Sequence, residues 1–347
     1  MSSNKLPVSI AFWDYDRTRP LIDGKIDIDG VEPRYIPLWV EETFYRMLHN
    51  AEFDVSEMSF SAYIVSLSSE KQRFIALPVF PSRTFRHRSI YINSESQIKD
   101  PSDLKGKRVG IPRYRQTAGV YIRGMLEDEY GVPVNSVTYV TGGLEEKIQE
   151  GKLWTMSEMN AKLGKEYGIT IEQEQEQSLS KMLEKGEIDA IYTARMPSNF
   201  NPNAGKVKRL FPNYRDEEIR YYGKTGIFPI MHTMVIRRDV YEKNPWIAAS
   251  LFKAFDRSKE LAYRLNYQTG ALRYMLPWMN EEIEIMESIF GKDYWPYGIE
   301  SNRTTIEAFL KYMFQQGLTK KLYKPEEIFA KETLDMFKID ANSPANL

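Results

Sequence analysis

At roughly 100–200 residues per domain, a chain of 347 residues is too long for one small domain and suggests two lobes. Lys and Arg total 47 against 48 Asp and Glu, so no basic field draws the chain to nucleic acid and a small molecule is the expected partner. The absence of cysteine excludes disulfides, thiolate metal sites and a cysteine nucleophile, leaving carboxylates, histidines and hydroxyls to do any chemistry.

Short β-rich runs alternate with longer amphipathic stretches, the pattern of an α/β fold with parallel strands and flanking helices. In chain order, strands are expected at 8–13, 32–36, 53–57, 74–80, 88–92, 108–112, 137–140, 190–193 and 232–237. Helices are expected at 40–50, 117–130, 179–185, 247–265, 281–289, 304–315 and 325–330. Segment 101–110 reads as a helical turn leading straight into a strand, and it opens a second lobe. The chain is expected to return at 232–237, which makes lobe one 1–92 plus 233–347 and lobe two 93–231. The Glu-, Gln- and Lys-rich stretch 151–177 reads as a solvated helical insertion, and no internal repeat is visible. The N-terminus lacks an apolar run long enough for a signal-peptide core, and charges interrupt every later apolar stretch, so a soluble, cytoplasmic protein is expected.

Ligands of open α/β sheets bind beyond the carboxyl ends of strands. The residues at those positions are polar: Asp14 and Arg17 after the first strand, Glu57 at the end of the third, Arg83, Arg86 and His87 after the fourth, then Arg113, Thr117 and Arg195. Arginine binds carboxylates through planar, bidentate hydrogen bonds, so Arg17, Arg83, Arg86, Arg113 and Arg195 suit a small, multiply charged anion. The helix beginning at Thr117 would add N-terminal N–H groups aimed at a carboxylate. Of the three histidines, His49 ends an amphipathic helix and is set aside, whereas His87 and His232 would sit near the chain crossings as an acid–base pair. Two histidines with Glu57 or Asp14 could bind a metal, but no His-x-x-x-His spacing supports one, so no metal is expected. Phosphate-binding, dinucleotide-binding and serine-elbow motifs are absent from the sequence.

Segments 14–21 (Asp-Tyr-Asp-Arg-Thr-Arg-Pro-Leu), 53–59 (Phe-Asp-Val-Ser-Glu-Met-Ser), 78–83 (Pro-Val-Phe-Pro-Ser-Arg), 226–232 (Gly-Ile-Phe-Pro-Ile-Met-His) and 270–278 (Gly-Ala-Leu-Arg-Tyr-Met-Leu-Pro-Trp) resemble the 4,5-dihydroxyphthalate decarboxylase family. So do the less specific segments 103–110 and 141–143, and the resemblance covers most of the chain. It implies a two-lobed, periplasmic-binding-protein-like fold of type II with a cleft between the lobes. It also implies removal of one carboxylate from a small anionic aromatic substrate, giving 3,4-dihydroxybenzoate and carbon dioxide. No organic cofactor is expected, because a hydroxyl para to the departing carboxylate can push electron density onto its carbon. Within this reading His87 and His232 transfer protons, Glu57 or Asp14 assists, and Arg17, Arg83 and Arg113 hold the retained carboxylate. The alternative is a solute-binding protein for a small aromatic or carboxylate anion. No nucleic-acid or membrane partner is expected, and assembly into a homo-oligomer is left open.

Overall fold

The computed structural model describes residues 5–69, 71–147 and 157–336, so the first six positions of the stretch 151–177 lie outside it. Among the described residues there are eleven strands: β1 (Leu6–Phe12), β2 (Val31–Pro37), β3 (Val55–Ser59), β4 (Phe74–Arg83), β5 (Ile90–Asn93), β6 (Arg108–Ile111), β7 (Thr138–Thr141), β8 (Thr170–Gln173), β9 (Ala190–Tyr192), β10 (Val207–Arg209) and β11 (Ile230–Arg237). The chain divides into two compact units. The first takes in Met1–Arg83, Ile230–Glu307 and Tyr323–Leu347, the second Thr84–Pro229 and Ala308–Leu322.

The first unit holds a sheet of order β2-β1-β3-β11-β4. Strands β1, β2 and β3 run parallel, and β11 is antiparallel to both of its neighbours. Ser9 on β1 fixes the neighbouring chain through Asp54, which accepts its N–H at 2.9 Å and its hydroxyl at 2.7 Å. Core positions Ile10, Ala11, Val55, Leu77 and Val235 are completely buried, so these central strands read as apolar runs.

The second unit's sheet has order β10-β5-β9-β6-β7-β8. Its parallel strands are β6, β7, β8 and β9, and β5 is the antiparallel insert. Taking β6, β7, β9, β5 and β10 in place of β1, β2, β3, β11 and β4 reproduces the order of the first sheet, with β8 added outside β7. The two sheets thus share a plan that no sequence repeat reveals. The helix Thr117–Tyr130 is buried over most of its length and packs so closely on Tyr312 that a Cβ at Gly124 would lie 2.4 Å from that ring. Gly131 ends it with φ 61°, a left-handed cap suited to glycine.

The unit boundaries differ from the expected 92/93 and 232/233. Strand β5 pairs with β9 and β10, so the chain leaves the first sheet at Arg83, and β11 enters that sheet already at Ile230. Segment 308–322 also belongs to the second unit, where the Gln316 side chain accepts from Arg123 Nε at 2.8 Å. The expected helix 325–330 is only a 3₁₀ turn, Pro325–Glu327, after which Phe329 forms a bridge to Ala76. The described part of 151–177 contains the expected helix, Ser157–Tyr167, together with the unanticipated strand β8.

Candidate functional site

Four chain segments of the first unit converge at one edge of its sheet. The carboxyl ends of the parallel strands β1 and β3 supply Trp13, Tyr15 and Glu57, and β4 supplies Ser82. His232 reaches the same edge because β11 runs the opposite way. There it stands in register between Ser59 of β3 and Ser82 of β4.

Glu57 is completely buried and is the centre of this group. One carboxylate oxygen accepts the Trp13 backbone N–H at 3.0 Å. The other accepts the Tyr15 hydroxyl at 2.7 Å and lies 2.6 Å from His232 Nδ1. An ionised carboxylate can only accept, so Nδ1 carries the proton of that bond and Nε2 is left as the nitrogen for chemistry. Phe44 packs edge-on against the imidazole, 4.8 Å between ring centres, and holds its orientation. Burial, and then the nearby Glu57 charge, push the Tyr15 phenol far above its ordinary range, so it remains a hydrogen-bond donor.

Arg17 lies against the same Tyr15. Its guanidinium is stacked between the rings of Tyr15, at 4.1 Å, and Trp295, at 4.4 Å. Its Nε donates to the Pro81 carbonyl at 2.6 Å, and one terminal nitrogen pairs with Asp16 at 3.0 Å. Behind it stands an ionic cluster on the helix Ile247–Asn266. Lys259, with no exposure at all, bridges Asp256 at 3.2 Å and Asp293 at 2.9 Å. Asp293 also accepts the Tyr263 hydroxyl, whose oxygen accepts the Trp295 backbone N–H at 2.8 Å. From the same helix, Ser258 donates to the Arg17 carbonyl and Asn266 to Asp16. The cluster therefore sets the place of both Trp295 and Arg17. Asp256, Lys259 and Tyr263 follow one another at helical spacing, three and then four residues apart, a signal of a shared face that the sequence reading did not use.

Of the expected site residues, the first unit brings together Glu57, His232 and, through Tyr15, Arg17. It does not add Asp14, which is exposed and paired with Arg19 at 2.9 Å. Arg83 is buried and donates to the Asn302 side chain and, at 3.1 Å, to the Pro296 carbonyl, so it ties β4 to the segment around Asn302.

The remaining expected residues belong to the second unit. His87 is fully buried in a 3₁₀ turn among the rings of Tyr130, Phe211 and Tyr221. Burial pushes its imidazole down to about 4, and its Nδ1 lies 4.0 Å from Glu218. Glu218, also desolvated, is pushed up to about 7. Beside them Arg86 is buried and pushed down to about 9 by desolvation. Arg113 and Arg195 are exposed, and Thr117 opens its helix as a buried residue. Among the described residues no group of three or more His, Asp or Glu side chains could hold a metal ion.

No family model matches the chain. The chain is 37% identical over 337 residues to a 4,5-dihydroxyphthalate decarboxylase of Comamonas testosteroni, covering 97% of this chain and all of the relative. It is 43% identical over 215 residues to a protein of the same name from Pseudomonas putida, covering 62% of this chain and 80% of the relative. Among solved structures, a protein of Archaeoglobus fulgidus superposes with a TM-score of 0.50 at 15% identity, covering 90% of this chain and 98% of that one. The fold is periplasmic-binding-protein-like, with the same strand plan in both sheets. The full-length match at 37% identity is decisive for kinship, and the chain belongs to the 4,5-dihydroxyphthalate decarboxylase family.

Proposed function

We propose that this protein is a carbon–carbon lyase that removes one carboxylate from 4,5-dihydroxyphthalate, giving 3,4-dihydroxybenzoate and carbon dioxide. The observation that carries the reading is the buried Glu57 bonded to Nδ1 of His232, which leaves Nε2 directed to chemistry at a strand-end edge.

In the substrate, each carboxylate is para to a ring hydroxyl. With that hydroxyl ionised, electron density reaches the ring carbon bearing the departing group. His232, as imidazolium, delivers a proton from Nε2 to this carbon. The carbon–carbon bond then breaks, its electron pair restores the aromatic ring, and carbon dioxide leaves. One proton is consumed per turnover. Glu57 stabilises the imidazolium and fixes its tautomer, work of the kind that contributes about 10²–10⁴-fold in general acid catalysis. Arg17 offers its cation to the retained carboxylate. Electron delocalisation into the ring needs no organic cofactor.

We assign His87 a packing role, since an imidazole neutral down to about pH 4 and sealed among aromatic rings is a poor proton carrier at pH 7. Among the described residues no helix is long and apolar enough to cross a membrane, and we expect the enzyme to work in the cytoplasm. Incubating pure protein with 4,5-dihydroxyphthalate should release carbon dioxide and 3,4-dihydroxybenzoate in equal amounts. Saturable binding without release would instead identify a solute receptor.

A further inference from the structure

Tyr15 occupies the junction of the two halves of the first-unit site. Its ring is one face of the stack that holds Arg17, and its hydroxyl donates to the same Glu57 oxygen that His232 Nδ1 contacts. The Ser82 side chain lies beside the Tyr15 hydroxyl, and Ser82 stands in register beside His232 across β4 and β11. The bonds therefore form a chain, Tyr15 to Glu57 to His232, anchored by the Trp13 N–H on the second carboxylate oxygen. Each donor on Glu57 disperses negative charge that would otherwise be directed at the imidazolium.

We propose that Tyr15 is a positioning residue whose hydroxyl tunes the proton affinity of His232 through Glu57, while its ring independently orients the Arg17 cation. The proposal rests on the reading of His232 as the proton donor. The charged groups facing the network are Glu57 and Arg17. From the helix Val40–Asn50 it is the apolar Phe44 that meets the imidazole, and Arg46 of that helix is committed to Glu42 and Glu52.

Tyr15→Phe separates the two roles, because it deletes the hydroxyl and keeps the ring. Glu57 then concentrates its charge on Nδ1–H, and the imidazolium becomes harder to deprotonate. A nuclear magnetic resonance titration of the three histidine rings, with His232 assigned by its disappearance in His232→Gln, reads this without any substrate. The midpoint for His232 should move to higher pH by about half a unit to one unit, less than the full worth of a hydrogen bond to a charged group because the change reaches the imidazole only through Glu57. The pH limb of kcat/KM set by that group should move with it, while KM stays within about twofold because the Arg17 stack survives. If Tyr15→Phe does not fold, Ser82→Ala weakens the same donor and should give a smaller shift of the same sign. A folded variant whose His232 midpoint stays put or falls would overturn the proposal. A shifted midpoint in a protein that decarboxylates nothing would uphold the coupling and overturn the functional reading instead.

Discussion

Glu57→Gln keeps the shape of the side chain and changes only what it can accept. The carboxylate now serves three donors: Tyr15 and His232 on one oxygen, the Trp13 N–H on the other. An amide has a single oxygen. If that oxygen faces Tyr15 and His232, the NH₂ opposes the Trp13 N–H, and a buried donor left unpaired costs about 1–3 kcal/mol of stability. If it faces Trp13, the NH₂ forces His232 to accept at Nδ1 and places the ring proton on Nε2, the wrong tautomer. In both arrangements the imidazolium loses its counter-charge. A wrong tautomer in a carboxylate–histidine pair of this type is worth up to about 10⁴ in kcat, so turnover should fall by about 10²–10⁴-fold, or about 2.7–5.4 kcal/mol of barrier at 1.36 kcal/mol per decade. Spectrophotometric decarboxylation gives kcat and KM, and a melting curve gives the stability term. A folded Glu57→Gln protein with kcat within fivefold of the parent would refute the role given to this pair.

Three other expectations follow from the packing. Lys259→Met should lower stability by about 3–5 kcal/mol, because Asp256 and Asp293 lose the buried cation between them, and calorimetric unfolding measures it. Arg83→Ala should mainly lower the melting temperature, by removing the tie to Asn302 and the Pro296 carbonyl, with KM changed less than threefold in the same decarboxylation assay. His87 and Glu218 should give the stability–pH curve two opposing slopes. The imidazole is depressed to about 4 on folding, so below its ordinary 6.5 the unfolded chain binds the extra proton and stability falls as pH drops, by about 3 kcal/mol in all. The Glu218 carboxyl is raised from 4.5 to about 7, so its contribution is complete below pH 4.5 and is lost as pH rises through 7. His87→Gln should therefore make the protein less sensitive to acid, and Glu218→Gln should make it more sensitive, in melting curves recorded from pH 4 to 8.

The helices Thr117–Tyr130 and Leu179–Lys185 coincide with the expected ones residue for residue, because their apolar spacing and terminal glycines are local signals. Strands β8 and β10 escaped notice since they are short, with β8 mostly exposed and β10 burying only Val207, which leaves little apolar pattern to read. The helix Tyr214–Thr225 was missed for a similar reason, as Tyr221 is its one buried residue. Glu57 and His232 were legible individually, as polar residues bordering apolar runs. Their bond spans 175 positions and depends on an antiparallel strand entering a parallel sheet, which no local pattern encodes. Asp14 looked equivalent to Glu57 from its place after a strand, yet Arg19, five residues on, captures it at the surface. His87 stood in an arginine-rich strand end that resembles a site, but the 3₁₀ turn His87–Ser89 buries its ring instead.

The central claim, that His232 delivers the proton that releases carbon dioxide, is tested most directly by His232→Gln with turnover and binding measured side by side on 4,5-dihydroxyphthalate. The account predicts that kcat falls by about 10²-fold or more while the calorimetric Kd stays within a few-fold. A folded His232→Gln protein that turns over the substrate at near-parental rate would contradict it.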